Sequence, residues 1–207
     1  METEREELIP VPPRRALLLT AAAFAIAFAL LGVEVARFGE PSMLVALEAA
    51  WVNHSTLTAW WLTWACYPLV LGPLGIVLLI VAWRVPAWRG RILFSLAALL
   101  VCWLAADLCQ HLFARVRRLD WVVKHEAAFS YPSSHATLAV GFYGLWAWLI
   151  GTSDLPGRRL VAWLLGVLVL AVLWSRLALG AHYATDLIGG VFLAVALVCA
   201  GAGALRR

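Results

Sequence analysis

The stretch ILFSLAALLVCWLAADLCQHL, residues 92–112, decides the fold. Its first fifteen positions carry no charge, and only then do Asp107, Gln110 and His111 appear. A bilayer hydrocarbon core about 30 Å thick takes about 20 largely apolar residues to cross as a helix. Residues 92–112 have that length. Five further apolar runs flank them, at residues 16–35, 57–82, 136–150, 160–174 and 187–204. Lipid offers no partner to bare backbone N–H and C=O groups, so each crossing is expected to be helical. The runs at 136–150 and 160–174 are short, and their helices are expected to continue into the polar flanks. The expected fold is all-α, a six-transmembrane-helix bundle forming a single domain over residues 1–207.

Composition agrees. Of the 207 residues, 64% are apolar and only 14% charged, and the mean hydropathy is +0.88. A disordered chain needs the opposite balance, and a water-soluble domain holds about 45–50% apolar residues. The net charge of +4 comes from 15 Arg and one Lys, mostly between the apolar runs. Lipid topology explains that pattern, so no nucleic-acid partner is implied. Cys66, Cys102, Cys109 and Cys199 form neither a CxxC pair nor a zinc spacing and read as buried small side chains. The opening residues METEREELIPVPPRR (1–15) are mixed in charge, unlike a signal peptide, and read as a cytoplasmic tail before an uncleaved span. Residues 40–56 read as an interfacial amphipathic segment, with Met43, Leu44, Leu47 and Trp51 on one face.

Six spans put both termini on one side. Ten basic residues fall there and six on the other, so the termini are expected to be cytoplasmic. Five of those six lie in two outer loops: Arg115, Arg117, Arg118 and Lys124 in one, Arg176 in the other. Cations gathered where topology disfavours them require a separate reason.

Three stretches meet on that outer face: residues 110–118, 131–135 and 175–186. Arginine presents a planar fork of donors that matches phosphate oxygens, which suits Arg117 and Arg176 as anion clamps. Ser133, Ser134 and His135 stand at the start of an apolar helix, whose free N–H groups and partial positive charge favour a phosphate. Pro132 fixes the entry and Ser133 can cap. His182 and Asp186 are four apart, on one helical face, so the carboxylate can hold one ring nitrogen and leave the other free to attack. His135 could protonate a leaving oxygen and then activate water. No metal is implied, because the arginines supply the charge a metal would bring. Asp107 lies about one turn before Gln110. A carboxylate inside a span is expensive, and a structural pairing or a supporting role in the site would each account for it.

These loops resemble the type 2 phosphatidic acid phosphatase superfamily, whose signature is Lys-x6-Arg-Pro, Pro-Ser-Gly-His and Ser-Arg-x5-His-x3-Asp. Ser175, Arg176, His182 and Asp186 match the third part in full. Pro132, Ser133 and His135 match the second, with Ser134 at the usual Gly. In the first part Arg117 is present, Gln110 stands at the usual Lys and Arg118 at the usual Pro. The resemblance implies a six-helix membrane bundle that removes phosphate from lipid phosphates or diphosphates without metal or cofactor. It implies His182 as nucleophile, Asp186 as its orienting partner and His135 as general acid. Arg117, Ser133, Arg176, backbone donors near Ser134, and Gln110 would hold the phosphate, with Arg118 as support. Undecaprenyl diphosphate is the expected substrate, with a glycerophospholipid phosphate close behind, at the extracytoplasmic face of a bacterial inner membrane. Transfer to another lipid, or binding without turnover, are the alternatives. Losing the usual charged contact at Gln110 corresponds to about 1.5–3 kcal/mol.

Overall fold

The computed structural model describes residues 12–52, 55–117 and 129–206. Among them the regular structure is entirely helical. In chain order come α1 (Arg14–Phe38), α2 (Ser42–Ala49), α3 (Thr56–Thr63), a 3₁₀ turn (Trp64–Cys66), α4 (Pro68–Arg84) and α5 (Pro86–Phe113). Further along the chain come α6 (Ser134–Leu138), a π-helical segment (Ala139–Gly144), α7 (Leu145–Gly151), α8 (Arg158–Ala178) and α9 (Ala184–Leu205).

Helices α1, α5, α8 and α9 are each long and apolar enough to cross a membrane. Helices α3 and α4 together make a fifth candidate, bent by 41°. The span expected at 57–82 is thus bent near its middle. Trp64–Cys66 tightens into a 3₁₀ turn, Tyr67 is extended, and Pro68 opens α4 at a position where its missing N–H costs nothing. Residues 134–151 form one continuous helical run through α6, the π segment and α7, starting two residues before the expected 136–150. Large apolar side chains on the outward faces, such as Leu30, Ile80, Leu100, Trp103 and Leu170, are more than half exposed. So broad an apolar surface is stable only against lipid.

Residues 40–56 do not form one helix along the surface. Only Ser42–Ala49 is helical ahead of α3, and residues 53 and 54 lie outside the described set. Met43, Leu47 and Trp51 do point outward, but Glu48 on the opposite side is buried in the protein.

Helix α1 lies along α9, α3 and α7 lie against α8, and α4 against α5. Helix α6 sits between α5, α8 and α9, so the residues leading into it are held at the centre of one end of the bundle. Two adjacent glycines set how closely it approaches α9. A Cβ at Gly189 would stand 2.3 Å from the Tyr131 ring, and one at Gly190 would stand 2.7 Å from the Ser133 carbonyl oxygen. Tyr131 is itself locked: its hydroxyl donates to the Phe28 carbonyl at 2.7 Å, and its ring stacks on Phe28. The loop carrying Ser133 thus rests on bare α9 backbone, a close approach that small residues permit between membrane helices.

Gly190→Ala is expected to destabilise the protein by about 1–3 kcal/mol through overpacking. Gly166→Ala, where a Cβ meets nothing within 4 Å, is expected to be neutral or mildly stabilising. Thermal unfolding of both variants in detergent checks the contrast.

Candidate active site

His182 is buried just before α9, and both of its ring nitrogens are engaged. Nδ1 lies 3.0 Å from the Ser130 carbonyl oxygen and 3.4 Å from Asp186 Oδ2. Nε2 lies 3.2 Å from Arg117 Nη1. A carbonyl only accepts and a guanidinium only donates, so the proton belongs on Nδ1 and the lone pair on Nε2. Sequence spacing points to Asp186 as the acceptor of that Nδ1 proton. The shorter contact is instead to Ser130, and Asp186 stands at the edge of a shared arrangement.

Asp186 is completely buried, and its principal partner is Arg115, whose Nη1 lies 2.5 Å from Oδ1. Oδ2 accepts from the Tyr183 backbone N–H at 3.0 Å, the reach-back bond of a helix N-terminus. Arg115 also donates to Thr185 Oγ1 at 2.8 Å and, through Nη2, to Glu40 Oε2 at 2.9 Å. Its guanidinium lies over the Tyr183 ring, 4.3 Å from the centroid. Glu48, from α2, accepts from the Ala184 backbone N–H at 2.7 Å. Glu40 from the link after α1 and Glu48 from α2 thus close over the start of α9. They were not recognised from sequence, because an acid in a short interfacial segment ordinarily faces water.

A backbone feature aims the arginines. Helix α5 ends at Ala114, which adopts the left-handed region at φ 49°. That turns the chain back so that Arg115 and Arg117 enter the bundle, although an alanine there costs about 1–2 kcal/mol. Arg117 donates to the Ala181 carbonyl and, at 3.1 Å, to the Phe129 carbonyl, besides facing His182. Ser130 N–H donates to the Arg115 carbonyl at 2.8 Å, tying the segment before α6 to the end of α5.

Ser133 caps α6 by accepting from the Ala136 N–H at 3.4 Å, and its own N–H donates to the Asp186 carbonyl at 3.0 Å. His135 lies in the first turn of α6, against the edge of the Tyr67 ring. Cys66 Sγ donates to its carbonyl, and its Nε2 is buried with no hydrogen-bond partner among the described residues. Arg176, Arg117 and His182 all act on it electrostatically. Arg176 is almost fully buried, and its Nη1 donates to Thr63 Oγ1 at 2.9 Å. The broken span thus contributes Thr63 and Tyr67 to the site wall, which no sequence spacing announced.

Three expectations need correction or qualification. Gln110, expected on the phosphate, donates its amide N–H groups to the Pro132 carbonyl at 2.9 Å and Ser134 Oγ at 2.8 Å. It tethers the loop. Asp107 is exposed on the flank of α5, and among the described residues its carboxylate makes no ion pair, while its backbone carbonyl lies 2.9 Å from His111 Nδ1. The inward stripe of that helix is Cys102, Ala106 and Gln110, so Asp107 has no place in the site. Arg118 lies outside the described residues. His182, Asp186, His135, Arg117, Ser133, Ser134 and Arg176 gather at one end of the bundle. An imidazole with one nitrogen held and its other lone pair facing a guanidinium can add to an electrophile that the guanidinium binds. Among the described residues, no group of three or more His, Cys, Asp and Glu side chains is placed to hold a metal ion.

Burial, together with the nearby Glu40 and Asp186, pushes the Glu48 carboxyl up from 4.5 to about 8, against the lowering effect of the Ala184 N–H. The folded state therefore favours protonated Glu48. Its stabilising contribution is full below about pH 4.5 and is lost as pH rises to about 8. Melting temperatures recorded from pH 5 to 9 should fall more steeply for the wild type than for Glu48→Gln.

A family model described as the PAP2 superfamily matches residues 95–204. Phosphatidylglycerophosphatase B of Bacillus subtilis is 35% identical over 77 residues, 35% of this chain and 37% of that protein. An uncharacterized 22.5 kDa protein in the cps region of Klebsiella pneumoniae is 27% identical over 115 residues, 55% of this chain and 50% of that one. The chain thus aligns with half or less of the length of these two relatives. A solved structure, the first transmembrane PAP2 type phosphatidylglycerolphosphate phosphatase from Bacillus subtilis, superposes with a TM-score of 0.77. That match covers 91% of this chain and 98% of the other at 24% identity, which is a likeness of fold. With more than half of the chain and all three site stretches inside the family match, the chain belongs to the PAP2 superfamily.

Proposed function

We propose that this protein is a membrane lipid phosphatase working through a phosphohistidine at His182. The observation that carries this reading is the pairing of His182 Nε2 with Arg117 at 3.2 Å while Nδ1 is held from behind by Ser130 and Asp186. A phosphoryl group entering between the imidazole and the guanidinium would be bound on one side and attacked from the other. Nε2 forms the P–N bond as the P–O bond to the lipid breaks. His135 gives its proton to the departing oxygen, then takes one from the water that cleaves the P–N bond and releases phosphate. Arg117, Arg176 and the N–H groups opening α6 would stabilise the charge on the transferring group, where most of the catalysis of phosphoryl transfer arises.

The site lies at one end of apolar helices, so the substrate's tail stays in the bilayer while its phosphate enters the polar end. Similarity to phosphatidylglycerophosphatase B favours phosphatidylglycerophosphate as substrate. Undecaprenyl diphosphate is the second candidate, on family analogy alone. The basic-residue count favours the extracytoplasmic side for this end, and a bacterial inner membrane is its setting on family analogy alone.

Phosphate release from phosphatidylglycerophosphate, phosphatidic acid and undecaprenyl diphosphate in mixed micelles tests the reading. Release should persist in EDTA, be inhibited by vanadate, and fall by at least about 10³-fold in His182→Ala. Release abolished by chelation, or undiminished in His182→Ala, contradicts it.

A further inference from the structure

Arg115 makes contacts that a phosphate clamp would not. Its two terminal nitrogens bridge two carboxylates from distant parts of the chain, Asp186 at 2.5 Å and Glu40 at 2.9 Å. The side chains of all three are at most 5% exposed. Thr185 stands at the junction: its hydroxyl accepts from Arg115 and donates to Glu40, and its backbone N–H points at Glu40 Oε1 from 3.4 Å. Asp186 in turn stands 3.4 Å from His182 Nδ1. A continuous line of charged contacts therefore runs from the link ahead of α2, through the turn after α5, to the imidazole before α9.

We infer that Glu40 and Arg115 are positioning residues for His182, acting through Asp186. This rests on the phosphohistidine reading above and extends it to a part of the chain outside the residues 95–204 that the family model matches. Three consequences follow from the geometry. Arg115 fixes one oxygen of Asp186, which leaves the other oriented by the Tyr183 N–H and turned toward His182. Glu40 fixes Arg115 in turn and keeps its guanidinium beside Asp186. The set of two carboxylates and one guanidinium also carries a net charge of −1 behind the imidazole, which favours the positive charge His182 acquires on phosphorylation. Lysine could not replace Arg115, because a single ammonium lacks the planar fork that reaches two carboxylates in different directions.

Among the described residues, the titratable and charged groups around His182 are Arg117 and Arg115 from the loop after α5, Asp186 from α9, His135 from α6, Arg176 from α8, and Glu40 and Glu48 from the link and α2. Removing the Glu40 charge makes their sum more positive. The His182 imidazolium is then less favoured, and the acidic limb of the kcat profile moves to lower pH.

Full-length Glu40→Gln, Glu40→Asp, Arg115→Lys and Arg115→Gln, assayed on phosphatidylglycerophosphate in mixed micelles, test this. Glu40→Gln should lower kcat by about 10-fold or more with KM within about 2-fold, since uniform substrate binding is untouched. Its acidic limb should move down by about 0.5 or more on the pH scale, given Coulombic coupling at this range. Glu40→Asp should recover part of kcat, and Arg115→Lys should resemble Arg115→Gln more than wild type. Vanadate inhibition at wild-type concentrations shows that each variant retains a folded pocket. For a variant that loses it, Glu40→Asp and the pH limb decide. An unmoved limb, or a rise in KM with kcat unchanged, overturns the inference. Wild-type protein that releases no phosphate overturns the functional reading itself. Release that depends on His182 but is indifferent to Glu40 and Arg115 overturns only the inference.

Discussion

A carboxylate with no exposure to solvent survives only if its charge is met inside the protein, and Asp186 imposes that constraint here. Arg115 meets it, and Glu40 holds the guanidinium from its other side. Removing Arg115 would leave buried carboxylates without their cation, at a cost of about 3–5 kcal/mol. The requirement fixes three segments against one another: the end of α5, the link after α1 and the start of α9. Ser133 is then hung from the Asp186 carbonyl, and Gly189 and Gly190 let its loop lie against the helix that bears this carboxylate.

The same arrangement explains how polar groups can be crowded at the end of an apolar bundle. Inside a medium of low effective dielectric, donors fixed in advance stabilise developing charge without reorganising. Arg176 is held by Thr63 of the broken span, and Arg117 by the carbonyls of Ala181 and Phe129. The break at Trp64–Cys66 is therefore part of the site, because it brings Thr63 and Tyr67 to positions a straight span would carry past it.

Much of this was legible in the residues. Long uncharged runs can do little but cross lipid as helices, so the bundle followed from them. The four-residue spacing of His182 and Asp186 put them on one face, and arginines gathered in two of the links between apolar runs marked the polar end. The remainder depends on packing. Glu40 and Glu48 look like water-facing residues of an amphipathic segment until α2 turns its apolar side outward and its acids inward. Gln110 and Asp107, three apart on α5, differ in role because the small residues Cys102 and Ala106 lie on the Gln110 stripe. That stripe was present in the sequence, but the identity of what faced it was not. Arg115 and Arg117 are separated by one residue and are equivalent by composition. The left-handed turn at Ala114 sends one to Asp186 and the other to His182.

The central claim is a covalent bond between His182 Nε2 and phosphorus. The most direct measurement is to mix the protein with phosphatidylglycerophosphate, quench in alkali, where phosphohistidine persists and acyl phosphates do not, and map the modified peptide by mass spectrometry. The account predicts one phosphoryl group on His182, more abundant in His135→Ala, where its hydrolysis is slowed. Turnover with no phosphorylated His182 in either protein, or a phosphoryl group on another residue, would contradict it.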